Sequence, residues 1–131
     1  MIVLDTHILV WWLSRPAELS AKARRAINAA VVDASVQVSA ISILEIATLA
    51  RRGRLQFSVP VETWLADVRL LPELRIAPVT ADIAQLAGGF GDELPGDPAD
   101  RIIVATALTL SAPLVTADTK LRTHKGLHTV W

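Results

Sequence analysis

Cysteine is absent from the chain, which excludes disulfides, thiolate metal sites and thiol catalysis and fits a reducing compartment such as the cytoplasm. Charge of one sign is also missing. Thirteen basic and thirteen acidic residues cancel to a net charge of zero, so nothing global announces nucleic acid and any basic footprint must be local. The longest uncharged run, Ile102 to Ala117, contains Ser111 and Pro113 and falls short of a membrane span. The N-terminus lacks a basic leader and Asp5 interrupts its apolar stretch, so no signal peptide is expected. These absences predict a soluble protein. Aromatic residues make up only 5%; Trp11, Trp12 and Trp64 read as core or interface anchors.

What is present in excess is apolar residues. They reach 52% of the 131 residues, above the ordinary globular range, which predicts either a very enclosed core or, the favoured reading, an apolar surface covered by a partner. The length fits one domain spanning residues 1–131.

Ile2 to Leu4 are consecutive aliphatics too few for a helix and read as a buried strand. A helix over Ile8–Leu13 follows. Ser20 is placed to cap a helix reaching Ala30, with Lys22, Arg24 and Arg25 on its wet side. Val36–Ser39 is a second strand, and Ser39 caps a helix over Ile41–Arg52 that Gly53 stops. Further helices are predicted over Val61–Leu71, from Thr80 to Gly88-Gly89, and over Ala99–Leu110. Strands are predicted at Leu74–Val79, Pro113–Thr116 and Leu127–Val130. Strands alternating with helices predict a parallel sheet covered on both faces, with ligands gathering outside the carboxyl ends of its strands.

Four carboxylates then stand out, each with an ordinary explanation beside it. Asp5 follows the first strand and could simply cap the next helix. In GDPADRIIVATA, Asp97 at the N-cap, Pro98 at N1 and Asp100 at N3 spell a helix start. That helix is nearly all apolar beyond Ile102, however, so its positive N-terminal end should emerge from a buried layer and favour anions. Glu45 shares a helical stripe with Ile41 and Leu49, and Arg52 two turns on leaves a salt bridge open. Asp118, in LVTADTKL, sits in a turn, where Asp is common.

Together the four acids fall at the same edge of a parallel sheet. Converging carboxylates repel, and one would have to take up a proton unless a cation joined them. A hard divalent cation with oxygen ligands removes the problem, and such a centre suits phosphodiester hydrolysis.

At these residues the sequence resembles PIN-domain proteins, specifically VapC-type ribonuclease toxins of toxin–antitoxin pairs. The landmarks are VLDTHILVWW, SAISILEIATLARRGRL, GDPADRIIVATA and LVTAD, in that order over essentially the whole chain. The resemblance implies a three-layer α/β/α sandwich with a five-stranded parallel sheet. It implies Mg²⁺- or Mn²⁺-dependent RNA cleavage by Asp5, Glu45, Asp100 and Asp118, with Asp5 and Asp100 as direct metal contacts. Glu45 and Asp118 would bind directly or through water. Asp97, Thr6 and Thr116 are auxiliary. It also implies a homodimer and a cognate VapB-like antitoxin whose segment lies in a groove near the site.

Leu44 stands where relatives often carry an aromatic residue, a change expected to alter packing more than chemistry. An RNA cleaver needs positive charge around its rim. Arg51, Arg52 and Arg54 end the Glu45 helix, and Lys120, Arg122, His124 and Lys125 follow Asp118; Arg51 and Arg52 are the candidate RNA contacts. His7 reads as a packing or capping residue that could also touch substrate.

Rival readings are weaker. A haloacid-dehalogenase-type phosphatase wants a second Asp where His7 stands, and a receiver domain wants an Asp ending the third strand, where the chain has Ala77-Pro78. A PIN-like module that binds RNA or a partner without cutting it is the better alternative.

Overall fold

The computed structural model describes residues 1–131. Strand β1 (Ile2–Leu4) lies at the centre of a five-stranded sheet of order β3-β2-β1-β4-β5, every pair parallel. The others are β2 (Val36–Ser39), β3 (Leu74–Ala77), β4 (Leu114–Val115) and β5 (Thr129–Val130). Six α-helices connect them: α1 (Thr6–Ser14), α2 (Ala21–Val32), α3 (Ala40–Arg51), α4 (Val61–Arg69), α5 (Ala81–Gly89) and α6 (Pro98–Thr109). A 3₁₀ turn, Pro16–Glu18, separates α1 from α2.

The alternation of β1 builds the layers. Ile2 and Leu4 enter one core with Ile8 and Leu9 of α1, Ile27 of α2, Ile46 of α3 and Val68 of α4. Val3, between them, points the other way, into a core with Ile103, Val104 and Ala107 of α6. Successive strand residues face opposite sides, so three aliphatics suffice to seed both cores. Each such side chain, fully buried, is worth roughly 1.5–3 kcal/mol. The expected α/β/α sandwich is present, and no helix is long and apolar enough to cross a membrane.

The caps are those the sequence announces. Ser20, Ser39, Thr80 and Asp97 each accept a backbone N–H at the start of α2, α3, α5 and α6. Boundaries differ at the ends. Helix α1 starts at Thr6, two residues before the apolar run, because Asp5 caps it. Strand β3 ends at Ala77, since Pro78 has no N–H to pair. The last two strands shrink to two residues each. Pro113 cannot donate to the ladder, although its carbonyl still accepts from Val3 at 2.9 Å.

Three helices end the same way. After α2, α3 and α6 a left-handed residue follows the cap, and paired backbone bonds close back on the last turn, as in a Schellman motif. Gly53 fills this position after α3 with φ of 70°, but Ala34 (50°) and Ser111 (51°) fill it after α2 and α6.

Topology places the site. The chain runs from β1 outward through β2 to β3, then crosses back to add β4 on the other side of β1. The crevice between β1 and β4 at their carboxyl ends is the switch point where open sheets bind ligands.

Candidate active site

Asp5 leaves the end of β1 only 3% exposed. The first turn of α1 supplies one partner, the Thr6 N–H, which donates to Asp5 Oδ1 at 2.8 Å. The residue directly after β4 supplies the other: Thr116 Oγ1 donates to Asp5 Oδ2 at 2.7 Å. The Asp118 N–H in turn donates to Thr116 Oγ1 at 3.0 Å. The Asp5 carboxylate is thus fixed at both oxygens, with lone pairs left for a further ligand. Helix capping and site membership coexist.

Glu45 reaches the crevice from α3. Thr6 Oγ1 donates to Glu45 Oε1, and Ser42 Oγ lies 2.8 Å from Thr6 Oγ1. A hydroxyl carries one hydrogen, and that of Thr6 is spent on Glu45. Ser42, fully buried, is therefore the donor to Thr6, and the two hydroxyls form a relay ending on the carboxylate. The salt bridge with Arg52 is not formed: Arg52 is exposed, and the ion-pair contacts of the chain are His7–Asp5 and His124–Glu93.

Asp100 stands in the first turn of α6, one residue after Ala99, whose N–H is capped by Asp97 Oδ1 at 2.8 Å. Burial pushes its carboxyl up to about 7, assisted by the charges of Asp5, Asp97, Glu45 and Asp118. Burial also raises Glu45, with Asp5 and Asp97 adding to the rise and the Thr6 hydroxyl opposing it. Asp118 turns one oxygen, Oδ1, to the Lys120 N–H at 2.9 Å, so the turn reading holds for it as well.

All four acids line one cavity of about 250 Å³, together with Thr6, His7, Val10, Trp11, Leu49 and Leu55. Asp97 caps α6 behind it and acts on Asp100 by charge. No Lys or Arg pairs with any of the four acids. The donors are all hard oxygens, since His7 Nε2 is occupied as the acceptor for the Ala117 N–H at 3.1 Å. Such an uncompensated oxygen set fits Mg²⁺ or Mn²⁺, which keep several waters and take one or two carboxylates directly. The acids do not close into a preformed cage, for no three of them stand close enough to hold an ion between them.

The basic residues divide. Arg51 lines a neighbouring groove of about 640 Å³ with Ala47, Phe57 and Val61, and Leu55 is common to this groove and the acidic cavity. Arg52 is exposed and lines neither. His124 does not join the rim, as its ring packs edge-on against Phe90 at 5.2 Å. Leu44 is 61% exposed, so it packs little within the chain. Sequence reading missed Ser42, although its place three residues before Glu45 puts both on one helical face.

The match to known proteins decides the lineage. The PIN domain family pattern matches residues 2–127. The chain belongs to the PIN-domain family. This PIN domain is 39% identical over 132 residues, 99% of its own chain and 98% of the relative's, to Ribonuclease VapC22 of Mycobacterium tuberculosis. Its fold is also that of VapBC2 from Rickettsia felis, solved bound to a promoter DNA fragment. The TM-score there is 0.72 at 18% identity, over 98% of this chain and 97% of that one. FitAcB from Neisseria gonorrhoeae gives 0.68 at 22% identity, over 98% and 96%.

Proposed function

We propose that residues 1–131 form one PIN domain acting as a Mg²⁺- or Mn²⁺-dependent endoribonuclease toxin of the VapC kind, neutralised in the cytoplasm by a VapB-like antitoxin. The observation that carries this reading is the convergence of Asp5, Glu45, Asp100 and Asp118, from four separate segments, on one cavity with no Lys or Arg paired to any of them. The match with a relative named as a ribonuclease supports it.

Asp5 and Asp100 are the direct ligands in this account, and Glu45 and Asp118 complete the site directly or through water. Held there, Mg²⁺ or Mn²⁺ supplies Lewis acidity toward a phosphodiester oxygen and makes the attacking water more acidic. The protein's own groups do the rest. Thr6 and Thr116 hold Glu45 and Asp5 in fixed orientations. Glu45, whose affinity for a proton is raised by burial, is suited to take the proton from that water. Arg51, in the groove that adjoins the cavity, and Arg52 beyond it attract the flanking phosphates.

The exposed apolar side chains support this choice of partners. Val32, Leu44 and Leu70 are 84%, 61% and 79% exposed, and most residues lining the groove beside the site are hydrophobic. An antitoxin segment covers the groove and a second copy of the chain covers part of the rest.

The test uses chain freed of antitoxin and incubated with structured RNAs. Discrete products in Mn²⁺ but not in EDTA support the nuclease. RNA binding without products, indifferent to metal, favours a silent binding module.

A further inference from the structure

We infer that Arg101 is a positioning residue: by tying the end of α5 and the 90–95 loop to the first turn of α6, it sets where Asp97 and Asp100 present their carboxylates. The guanidinium belongs to the residue directly after Asp100, yet it turns away from the acids. Its Nε donates to Ala87 O at 2.9 Å, Nη1 to Gly91 O at 3.3 Å and Pro95 O at 3.4 Å, and Nη2 to Phe90 O. Four backbone carbonyls converge on one cation, which also sits 5.8 Å from the centre of the Phe90 ring.

The reason lies in how α5 ends. Helices α2, α3 and α6 satisfy their last carbonyls with left-handed residues. Helix α5 runs out through Gly88-Gly89 into an extended Phe90, φ −61° and ψ 143°, with no backbone cap. Orphan carbonyls at a helix C-terminus need donors, and a cation there is favoured by the helix dipole. From the first turn of α6, Arg101 supplies a donor to one carbonyl of the last turn of α5, Ala87 O, and to that of its C-cap, Phe90 O. The loop from Phe90 to Gly96 is folded around a side chain of the helix it leads into, and that loop delivers Asp97, the N-cap of α6. A planar five-donor fork is required; the three rotating donors of Lys do not match four carbonyls in this arrangement.

This inference rests on the metal-site reading for its effect on catalysis, but its structural half stands separately. The experiment has two arms. In the first, hydrogen exchange of the wild-type chain is followed with and without Mn²⁺. The Gly91 and Leu94 amides, which donate within the loop to Glu93 Oε1 and Gly91 O, should open together with the first turn of α6, and Mn²⁺ should slow both. Exchange at these two amides that is independent of the opening of α6 overturns the clamp. In the second, Arg101→Lys and Arg101→Gln are compared with wild type by Mn²⁺ titration at a temperature where all remain folded. Each should bind Mn²⁺ about tenfold or more weakly, the usual scale for groups that orient ligands. Wild-type affinity in both variants, or full recovery in the Lys variant, overturns the positioning role. If the variants unfold, the wild-type exchange arm still decides. Wild-type chain that binds no Mn²⁺ refutes the metal site instead, while the exchange pattern without Mn²⁺ continues to test the clamp.

Discussion

Thr116 Oγ1 donates a 2.7 Å hydrogen bond to Asp5 Oδ2 across 111 positions of sequence. This contact joins the ends of the two strands that border the switch point. Because Thr116 also accepts the Asp118 N–H, one hydroxyl fixes the Asp5 carboxylate and the backbone that carries Asp118.

Thr116→Val removes that donor without changing the size of the side chain much. It leaves a buried carboxylate oxygen short of a partner, at a cost of roughly 1–3 kcal/mol. RNA cleavage should fall about 10–100-fold, as when groups that orient metal ligands are lost, whereas Thr116→Ser should stay within a few-fold of wild type. Single-turnover assays on both variants check this. A loss in the Ser variant with undiminished cleavage in the Val variant would show that the methyl group, not the hydroxyl, matters.

The same reasoning applies to the relay on α3. Ser42→Ala breaks the donation to Thr6 and leaves Glu45 held by an unbraced hydroxyl. Cleavage should drop about tenfold with little change in substrate binding, again on the scale of lost ligand support. A rise in KM at unchanged kcat would contradict a role through Glu45.

Asp100 makes stability depend on pH when metal is withheld. Its folded carboxyl is pushed up from 3.8 to about 7, chiefly by burial and then by the neighbouring acids. Between those values the unfolded chain has released a proton that the folded chain retains, so stability falls as pH rises through this window and levels off above it. Asp100→Asn abolishes the loss. In EDTA at pH 8 the variant should be more stable by about 2 kcal/mol, after allowing for solvent screening of a half-buried group. At pH 4 the two should melt together. Thermal melts at both pH values measure the difference, and a gap that does not change with pH would refute the cause assigned to it. Mn²⁺ should reverse the order at pH 8, because it stabilises only the chain that can bind it.

Ala34 and Ser111 occupy left-handed positions at φ of 50° and 51°, where a Cβ is unfavourable. Ala34→Gly and Ser111→Gly should each stabilise the chain by roughly 0.5–1 kcal/mol, the lost strain being partly offset by a freer unfolded chain. Denaturant midpoints should rise with unchanged slopes.

The sequence carried the sheet, the caps and the four acids because each is a local signal. An apolar triplet, a Ser before an amphipathic run and an Asp at a strand end are visible within a few residues. The topology also followed, since strands alternating with helices leave few options. Long-range hydroxyl pairing was harder to read. Thr116 became a named candidate through its place beside Asp118, but Ser42 looked like any polar residue in a helix until Thr6, 36 positions away, met it. Arg101 was hidden for a similar reason. Its partners are backbone carbonyls, which no residue type advertises, and the missing cap of α5 emerges only when the backbone angles at Phe90 are known.

In the proposed site Asp5 and Asp100 hold the metal required for RNA cleavage. The most direct measurement is end-mapped RNA cleavage by wild type, Asp5→Asn and Asp100→Asn, each freed of antitoxin, in Mn²⁺ and in EDTA. The account predicts products only from wild type in Mn²⁺, with both variants folded and still binding RNA. Undiminished cleavage by both variants, or by wild type in EDTA, would contradict it.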